Sequence, residues 1–417
     1  MNVKIVPSKL IGRVTAPSSK SFSHRMIIAA ALADGISEIS NINPSEDIDA
    51  TVDAMCALGA KIANDGSTYT VKGIGKPAEK AVINCRESGS TMRFVIPVAA
   101  ALGCNTEFNG YGKLPTRPIT PYKREMSQKG IVFNHTEGIM PFSISGKLLG
   151  GEYRLEGDVS SQFITGLLYA LPLCAEDSSV VLTSKLESKP YADMTVATLK
   201  QFGIEISEST GSDGFPVYNI KGNQRCKSVN CSVEGDYSQA AFFFAANALG
   251  SELSILNLNE KSVQGDKKIL EIIQNMSYND SGCGNYNPFT VDASDIPDLV
   301  PILTVLGCFT RSKSRIVNAK RLKIKESNRL KAIADALNAI GGNVVCGDDF
   351  LEINPVERFK GGFINGCNDH RIVMASAIAS TAADGVVCIS DCDAVSKSYP
   401  DFWQDFKALG GNIEFYE

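Results

Sequence analysis

The chain has 417 residues, 44% of them hydrophobic and 21% charged, with a formal net charge of −5. It is too long for one ordinary core, and its composition is that of a globular protein of about two or three domains. The acidic balance excludes wholesale binding to nucleic acid or an anionic membrane, so any cationic site must be local. No run approaches the length of a membrane span, and Met1-Asn2-Val3-Lys4-Ile5-Val6 has no apolar signal core. The 12 cysteines are scattered without a Cys-x-x-Cys pair and there are only 3 histidines, so no metal site is expected. Free thiols fit a reducing, cytoplasmic setting.

The first predicted helix opens at Ala16-Pro17-Ser18-Ser19-Lys20-Ser21-Phe22-Ser23-His24-Arg25 and runs into the apolar stretch Met26 to Leu32. Pro17 and the serines are start and cap signals. Lys20 and Arg25 are less ordinary there, because a helix N-terminus disfavours cations and favours anions. A capped helix with solvated basic residues explains the stretch as well as an anion site does, until the arrangement is seen to recur. Similar starts follow at Glu87-Ser88-Gly89-Ser90, Val159-Ser160-Ser161-Gln162, Asp236-Tyr237-Ser238-Gln239, Ile296-Pro297-Asp298 and Asn368-Asp369-His370. Each leads into a run that is apolar nearly all round, such as Phe94 to Leu102 or Ile372 to Ala383, which predicts interior helices.

Between these starts a second signal repeats: a helical run that ends in glycine and passes into alternating residues. It occurs at Gly59, Gly130, Gly203, Gly341 and Gly410, at intervals of about 70 residues with one interval of about twice that. The double interval implies a further unit near Asn275-Met276-Ser277 that has lost its glycine. Short turns such as Asp65-Gly66 and Gly347-Asp348-Asp349 then lead into a second strand. The chain is therefore expected to be α/β, with six repeats of strand–helix–strand–helix–strand–strand (βαβαββ). Interior helices argue against an open solenoid and for two globular domains of three repeats each. The polar stretch Lys221-Gly222-Asn223-Gln224-Arg225 is the expected boundary. If the helix starts face one another across it, one cleft would collect several N-termini, each favouring an anion by ~0.3–1 kcal/mol.

Cationic and acidic residues cluster at the same places. Leu114-Pro115-Thr116-Arg117-Pro118 is a stiff loop presenting one arginine, or simply a turn. Lys323-Ile324-Lys325-Glu326-Ser327-Asn328-Arg329 is expected to open a helix, with Lys325 and Arg329 four apart on one face and able to share an anion. Glu326 suits either a surface ion pair or an acid–base role, and Asp298 either a helix cap or a general base. Asn368-Asp369-His370-Arg371 and Lys397 add further cations. The serines have no histidine arranged as in a hydrolase, and neither a phosphate-binding P-loop nor a dinucleotide fingerprint is present. Hydroxyls and backbone N–H groups in this number suit phosphate oxygens.

Taken together these motifs resemble the 5-enolpyruvylshikimate-3-phosphate synthase family over essentially the whole chain. The resemblance implies two domains, residues 1–12 with 226–417 and residues 13–225, closing over shikimate 3-phosphate and phosphoenolpyruvate, with the N-terminal strand near Val3 to Val6 joining the C-terminal domain. Carried over by position, Lys20, Ser21, Arg25, Ser160, Ser161, Gln162, Ser188, Asp298 and Lys325 would contact shikimate 3-phosphate. Lys20, Gly89, Arg117, Gln162, Arg329, Arg371 and Lys397 would contact phosphoenolpyruvate. Asp298, together with Lys20, would take the proton of the 5-hydroxyl as it adds to carbon 2 of phosphoenolpyruvate. Glu326 would protonate the methylene before phosphate leaves. The resemblance implies no metal or organic cofactor, and a monomer is expected.

The chain departs from the family's usual pattern at Glu87, where Asn is common, and at Ser90, where Thr is common. A carboxylate facing the Ser88-Gly89 pair would repel phosphoenolpyruvate, so Glu87 is expected to turn away or to pair with Arg86 or Arg93. The sister family acting on UDP-N-acetylglucosamine carries a loop cysteine ahead of an Arg-Pro pair, and no cysteine stands between Cys104 and Arg117. A non-catalytic anion-binding relative would not need both Asp298 and Glu326.

Overall fold

A computed structural model describes residues 1–135, 140–276 and 286–417. The chain forms two compact units, one of residues 1–17 with 235–417 and one of residues 18–234. The division thus falls nine residues beyond the expected Arg225. The polar stretch there is a tied-down loop of the second unit: Asn223 N donates to Cys174 O at 2.7 Å and Gln224 N to Pro172 O at 2.9 Å. Polarity marked a loop, and a loop is not by itself a boundary.

The unit of residues 18–234 has three interior helices, Lys20–Ala31, Gly89–Leu102 and Ser161–Ala170, buried on nearly every side. Three outer helices, Glu46–Ala57, Thr120–Ser127 and Lys189–Gln201, carry exposed polar faces. Three four-stranded sheets and the two-stranded pair of Ala33–Asp34 with Cys226–Lys227 complete the unit among the described residues. In the second repeat Lys80–Asn84 runs parallel to Asn105–Asn109, and Phe142–Gly146 then pairs antiparallel with both Asn105–Asn109 and Ile131–His135. The third repeat has the same order through Gly151–Leu155, Ser178–Leu182, Pro216–Ile220 and Ile206–Thr210. One apolar cluster, including Phe94, Phe163, Leu167 and Tyr69, fills the space between helices and sheets.

The other unit repeats the plan around Tyr237–Ala248, Val300–Gly307 and His370–Ser380. Asn2–Val6 lies between Val387–Ile389 and Asn412–Tyr416 and is antiparallel to both, the place taken in the other four-stranded sheets by the second strand of a hairpin. The strands leading into two interior helices are exchanged. Ile11–Thr15 precedes the Lys20 helix but pairs with Glu252–Leu256, whereas Cys231–Ser232 precedes the Tyr237 helix but pairs with Ile36–Ser40. The fourth repeat has a two-stranded sheet among the described residues. Its expected turn near Asn275-Met276-Ser277 runs into residues 277–285, which lie outside the described residues.

The local signals have direct structural counterparts. Gly59, Gly130, Gly203, Gly341 and Gly410 all take positive φ, between 81° and 116°. A residue there must reverse the chain from helix into strand, and a side chain would be strained in that conformation. Five interior helices carry a side-chain cap: Ser19, Ser88, Ser160, Asp236 and Asp369 each accept a backbone N–H of the first turn. The sixth, Val300–Gly307, is entered through the 3₁₀ turn Pro297–Leu299 and has no side-chain cap.

Candidate active site

That missing cap decides what Asp298 does. Its carboxylate is turned away from the helix it precedes and takes Arg329 Nη1 at 2.9 Å on Oδ1 and Arg371 Nη2 at 3.0 Å on Oδ2. Lys325 Nζ stands 4.0 Å from Oδ1. Arg329 is buried and also donates to Glu326 Oε2 at 2.6 Å and to Asp369 Oδ2 at 2.9 Å. Asp369 is held in turn by Ser327 Oγ at 2.9 Å and caps its own helix through Arg371 N at 3.0 Å. Lys397 Nζ donates to Asn368 O at 3.0 Å, beside Asp369. The unit of residues 1–17 and 235–417 thus brings Asp298, Lys325, Glu326, Arg329, Arg371 and Lys397 into one connected network.

Its electrostatics separate the roles of the groups. Burial opposes ionisation of Asp298, but Arg371, Lys325 and Arg329 outweigh it and hold the carboxyl well below the usual carboxylate range. Burial also opposes the charge of Arg329, and Asp369, Glu326 and Asp298 more than restore it. Lys325 goes the other way. Burial, opposed by Asp298 and aided by Arg329, pushes its ammonium down to about 8, close to where a lysine can exchange a proton at physiological pH.

The geometry corrects one expectation. Lys325 and Arg329 do not share a helical face, because Lys320–Ile324 is a 3₁₀ turn, Lys325 is extended, and the helix Arg329–Ala339 starts only after the cap Asn328. Asn328, whose side chain accepts from Lys331 N at 3.3 Å, is a stronger start signal than the lysines before it. The two cations converge through Asp298 instead.

In the unit of residues 18–234, Arg25 is buried and surrounded by neutral acceptors. It donates to Thr195 Oγ1 at 2.9 Å, Ser21 O at 2.8 Å and Tyr191 O at 2.8 Å, with its carbon 5.2 Å from the Phe94 ring centroid. No carboxylate forms an ion pair with it among the described residues, and burial pushes it down to about 10. A buried guanidinium of this kind is suited to an anion brought in from outside. Lys20, at the first position of the same helix, instead has an internal partner, Asp47 Oδ2 at 2.8 Å.

Gly89, Arg117 and Gln162 are assembled around the second interior helix. A Cβ on Gly89 would stand 2.5 Å from Arg117 Nη1 and 3.7 Å from Gln162 Oε1, so only glycine admits the guanidinium at that helix start. Gln162 donates to Ser90 Oγ at 3.0 Å and accepts from Arg93 Nη1 at 2.7 Å. Ser160 caps Gln162 N at 3.3 Å, Ser161 is buried in the same first turn, and Ser188 precedes its helix with φ of 56° and no side-chain cap bond. Glu87 turns its carboxylate over Gly112, whose added Cβ would collide with it. Arg86 is engaged elsewhere, with Asp53 at 2.8 Å and Asp49 at 3.6 Å. Sequence reasoning missed Asp47, Thr195 and Thr165, whose Oγ1 accepts from Arg25 Nη2 at 3.4 Å. Asp47 sits in the acidic first turn Glu46-Asp47-Ile48-Asp49, where carboxylates are ordinary complements of the helix dipole and signal nothing more.

Comparison with known proteins places this arrangement in a class first by fold. An EPSP synthase from Acinetobacter baumannii superposes with a TM-score of 0.82 at 23% identity, with 100% of each chain covered. The enolpyruvyl transferase NikO from Streptomyces tendae superposes with a TM-score of 0.79 at 16% identity, covering 99% of this chain and 98% of that one. The architecture is therefore that of the enolpyruvyl transferases. In sequence, residues 5–406 match the family EPSP synthase (3-phosphoshikimate 1-carboxyvinyltransferase). Proteins named 3-phosphoshikimate 1-carboxyvinyltransferase are 44% identical in Clostridium novyi and 45% identical in Clostridium acetobutylicum, each pair covering 99% of this chain and 98% of the relative. The chain belongs to the EPSP synthase family.

Proposed function

We propose that the two constellations, one in each unit, carry out the reaction of this family: transfer of the enolpyruvyl group of phosphoenolpyruvate to the 5-hydroxyl of shikimate 3-phosphate, with release of phosphate. The observation that carries the reading is the network around Asp298, an ionised carboxylate beside a lysine near its proton-exchange range and a second carboxylate, Glu326, on the same arginine. In a site that only bound anions Asp298 and Glu326 would serve to keep the buried Arg329 charged; a proton-transfer site uses them further, as acceptor and donor.

In this reading Asp298, aided by Lys20, takes the 5-hydroxyl proton as the oxygen adds to carbon 2 of phosphoenolpyruvate. Glu326 delivers a proton to the methylene carbon. The tetrahedral adduct then loses phosphate and a proton, leaving the enol ether. Ser21, Arg25, Ser160, Ser161, Gln162, Ser188 and Lys325 hold shikimate 3-phosphate. Gly89, Arg117, Gln162, Arg329, Arg371 and Lys397 hold phosphoenolpyruvate, with Lys20 serving both. Fixing both substrates turns a bimolecular encounter into an oriented one, and the cations stabilise charge as it develops. The reading includes a cytoplasmic, monomeric enzyme that needs no metal or organic cofactor. No described helix is long and apolar enough to cross a membrane.

Phosphate release from shikimate 3-phosphate plus phosphoenolpyruvate tests the assignment. Release with UDP-N-acetylglucosamine but not with shikimate 3-phosphate would overturn it in favour of the sister transferase. Tight binding of both substrates without turnover would identify an anion-binding relative.

A further inference from the structure

Between the Lys20 helix and the Gly89 helix runs a buried line of four polar side chains that the reaction above does not use. His24 Nδ1 lies 2.7 Å from Thr51 Oγ1, Thr51 Oγ1 lies 2.7 Å from Thr91 Oγ1, and Thr91 Oγ1 donates to Ser88 Oγ at 2.8 Å. All four side chains are buried. Thr91 Oγ1 also points at Asp47 O, 3.4 Å away, and Asp47 is the ion-pair partner of Lys20. Ser88 is the cap of the Gly89 helix, accepting Thr91 N at 3.2 Å. Three helices therefore meet on this line: the first carries Lys20, the second its ion-pair partner Asp47, and the third the Gly89-Ser90 turn.

A hydroxyl has one proton to give, and that orders the line. Thr91 shares its single proton between Ser88 Oγ and the Asp47 carbonyl, so none is left for Thr51. The Thr51 hydroxyl must then donate to Thr91. Thr51 Oγ1 is left to accept, and among the described residues the group placed to donate to it is His24 Nδ1–H. The ring is then neutral with a bare Nε2, which has no hydrogen-bond partner among the described residues. An unmade acceptor costs less than a buried N–H without a partner, so the ordering that leaves Nε2 bare is the cheaper one. The ring lies T-shaped to Phe94, with centroids 6.4 Å apart and planes at 89°.

We propose that His24, Thr51, Thr91 and Ser88 form a proton-ordered positioning chain, with His24 fixed as its Nδ1–H tautomer, that sets Asp47 and Lys20 against the Gly89-Ser90 helix start. These residues touch no reacting atom. They act through Lys20 and through the phosphoenolpyruvate-binding turn, and the functional half of the inference rests on the roles given to those groups above. Burial pushes the imidazole down to about 3, so the chain stays intact across the physiological range.

Two measurements test it. With only 3 histidines in the chain, ¹⁵N resonances of the imidazoles can be assigned against His24→Asn. The expected His24 spectrum is that of the Nδ1–H tautomer, unchanged between pH 5 and pH 8. An Nε2–H tautomer, or titration within that range, overturns the proposed order, and this readout needs no activity. In kinetics, Thr51→Val removes the central hydroxyl at constant shape. It should lower kcat/KM for phosphoenolpyruvate by roughly tenfold, the loss expected for about one buried hydrogen bond, and that for shikimate 3-phosphate by less, through Lys20 alone. Thr51→Ser should restore both. Equal losses toward both substrates, or a lower Tm with unchanged kinetics, would reduce the chain to a structural role. Absence of phosphate release by the unmodified protein would instead count against the functional assignment and leave the tautomer result standing.

Discussion

At Gly89 a single hydrogen in place of a methyl group decides whether Arg117 can reach the helix start. Gly89→Ala would press on a guanidinium nitrogen, which can swing aside, so the fold should survive. Losing one charge-assisted hydrogen bond of about 1.5–3 kcal/mol predicts a rise of roughly ten- to a hundredfold in KM for phosphoenolpyruvate, with kcat much less affected, as steady-state kinetics would show. Asp298→Asn and Glu326→Gln keep shape and remove the proposed proton acceptor and donor. Each should lower kcat by about 10²–10⁴-fold while equilibrium binding of shikimate 3-phosphate changes far less. Equal losses in binding and turnover would contradict the acid–base roles. Lys325 sets a pH limb whose sign is definite. Its ammonium is charged below about 8 and neutral above, so attraction for an anionic substrate should fall as pH rises through that value. Lys325→Arg, permanently charged, should lose that limb even if its overall activity is lower.

The same residue scale shows where reading a sequence stops. Asp298 read first as a helix cap, the commoner role, and only then as a base; the cap is ruled out by the 3₁₀ turn through which the helix is entered, which no local pattern announces. Asp47 was invisible because a carboxylate in a first helical turn already has a sufficient local explanation. Arg25 was legible as an oddity, since a cation near a helix N-terminus needs a reason. Only its neutral surroundings in space show how complete the demand for an anion is.

Among the elements, interior helices and their glycine stops were the most legible, because burial on all sides and a left-handed reversal each leave a plain mark on composition. The strand Asn2–Val6 was the least legible. Its alternation predicts a strand, but nothing local names its neighbours, which are Val387–Ile389 and Asn412–Tyr416. Its partnership makes it a central strand with a buried face at Val3 and Ile5. Ile5→Ala should cost about 2–5 kcal/mol, as large-to-small changes in a packed core do, and should appear as a lower midpoint in denaturant. Exposed Ile11, on the exchanged strand Ile11–Thr15, should tolerate the same change within about 0.5 kcal/mol.

On the scale of the whole molecule, repetition was legible from the glycine spacing, and the division into two units was not legible at its edges. The polar stretch at Lys221–Arg225 looked like a linker, yet the second unit continues to Glu234 because its first sheet needs Cys231–Ser232 as its outer strand. That exchange of strands also governs the order in which the molecule can assemble while it is being made. The unit of residues 18–234 has all its parts soon after Glu234 leaves the ribosome. Asn2–Val6 emerges before the unit of residues 18–234 but finds its sheet only after Val387–Ile389 and Asn412–Tyr416 have followed. At ~5–20 residues per second, it waits roughly 20–80 s with its apolar face uncovered. A ribosome-bound nascent chain is therefore a stage at which this strand offers its edge to chaperones, and the completed neighbour is already folded when the opening segment is finally used.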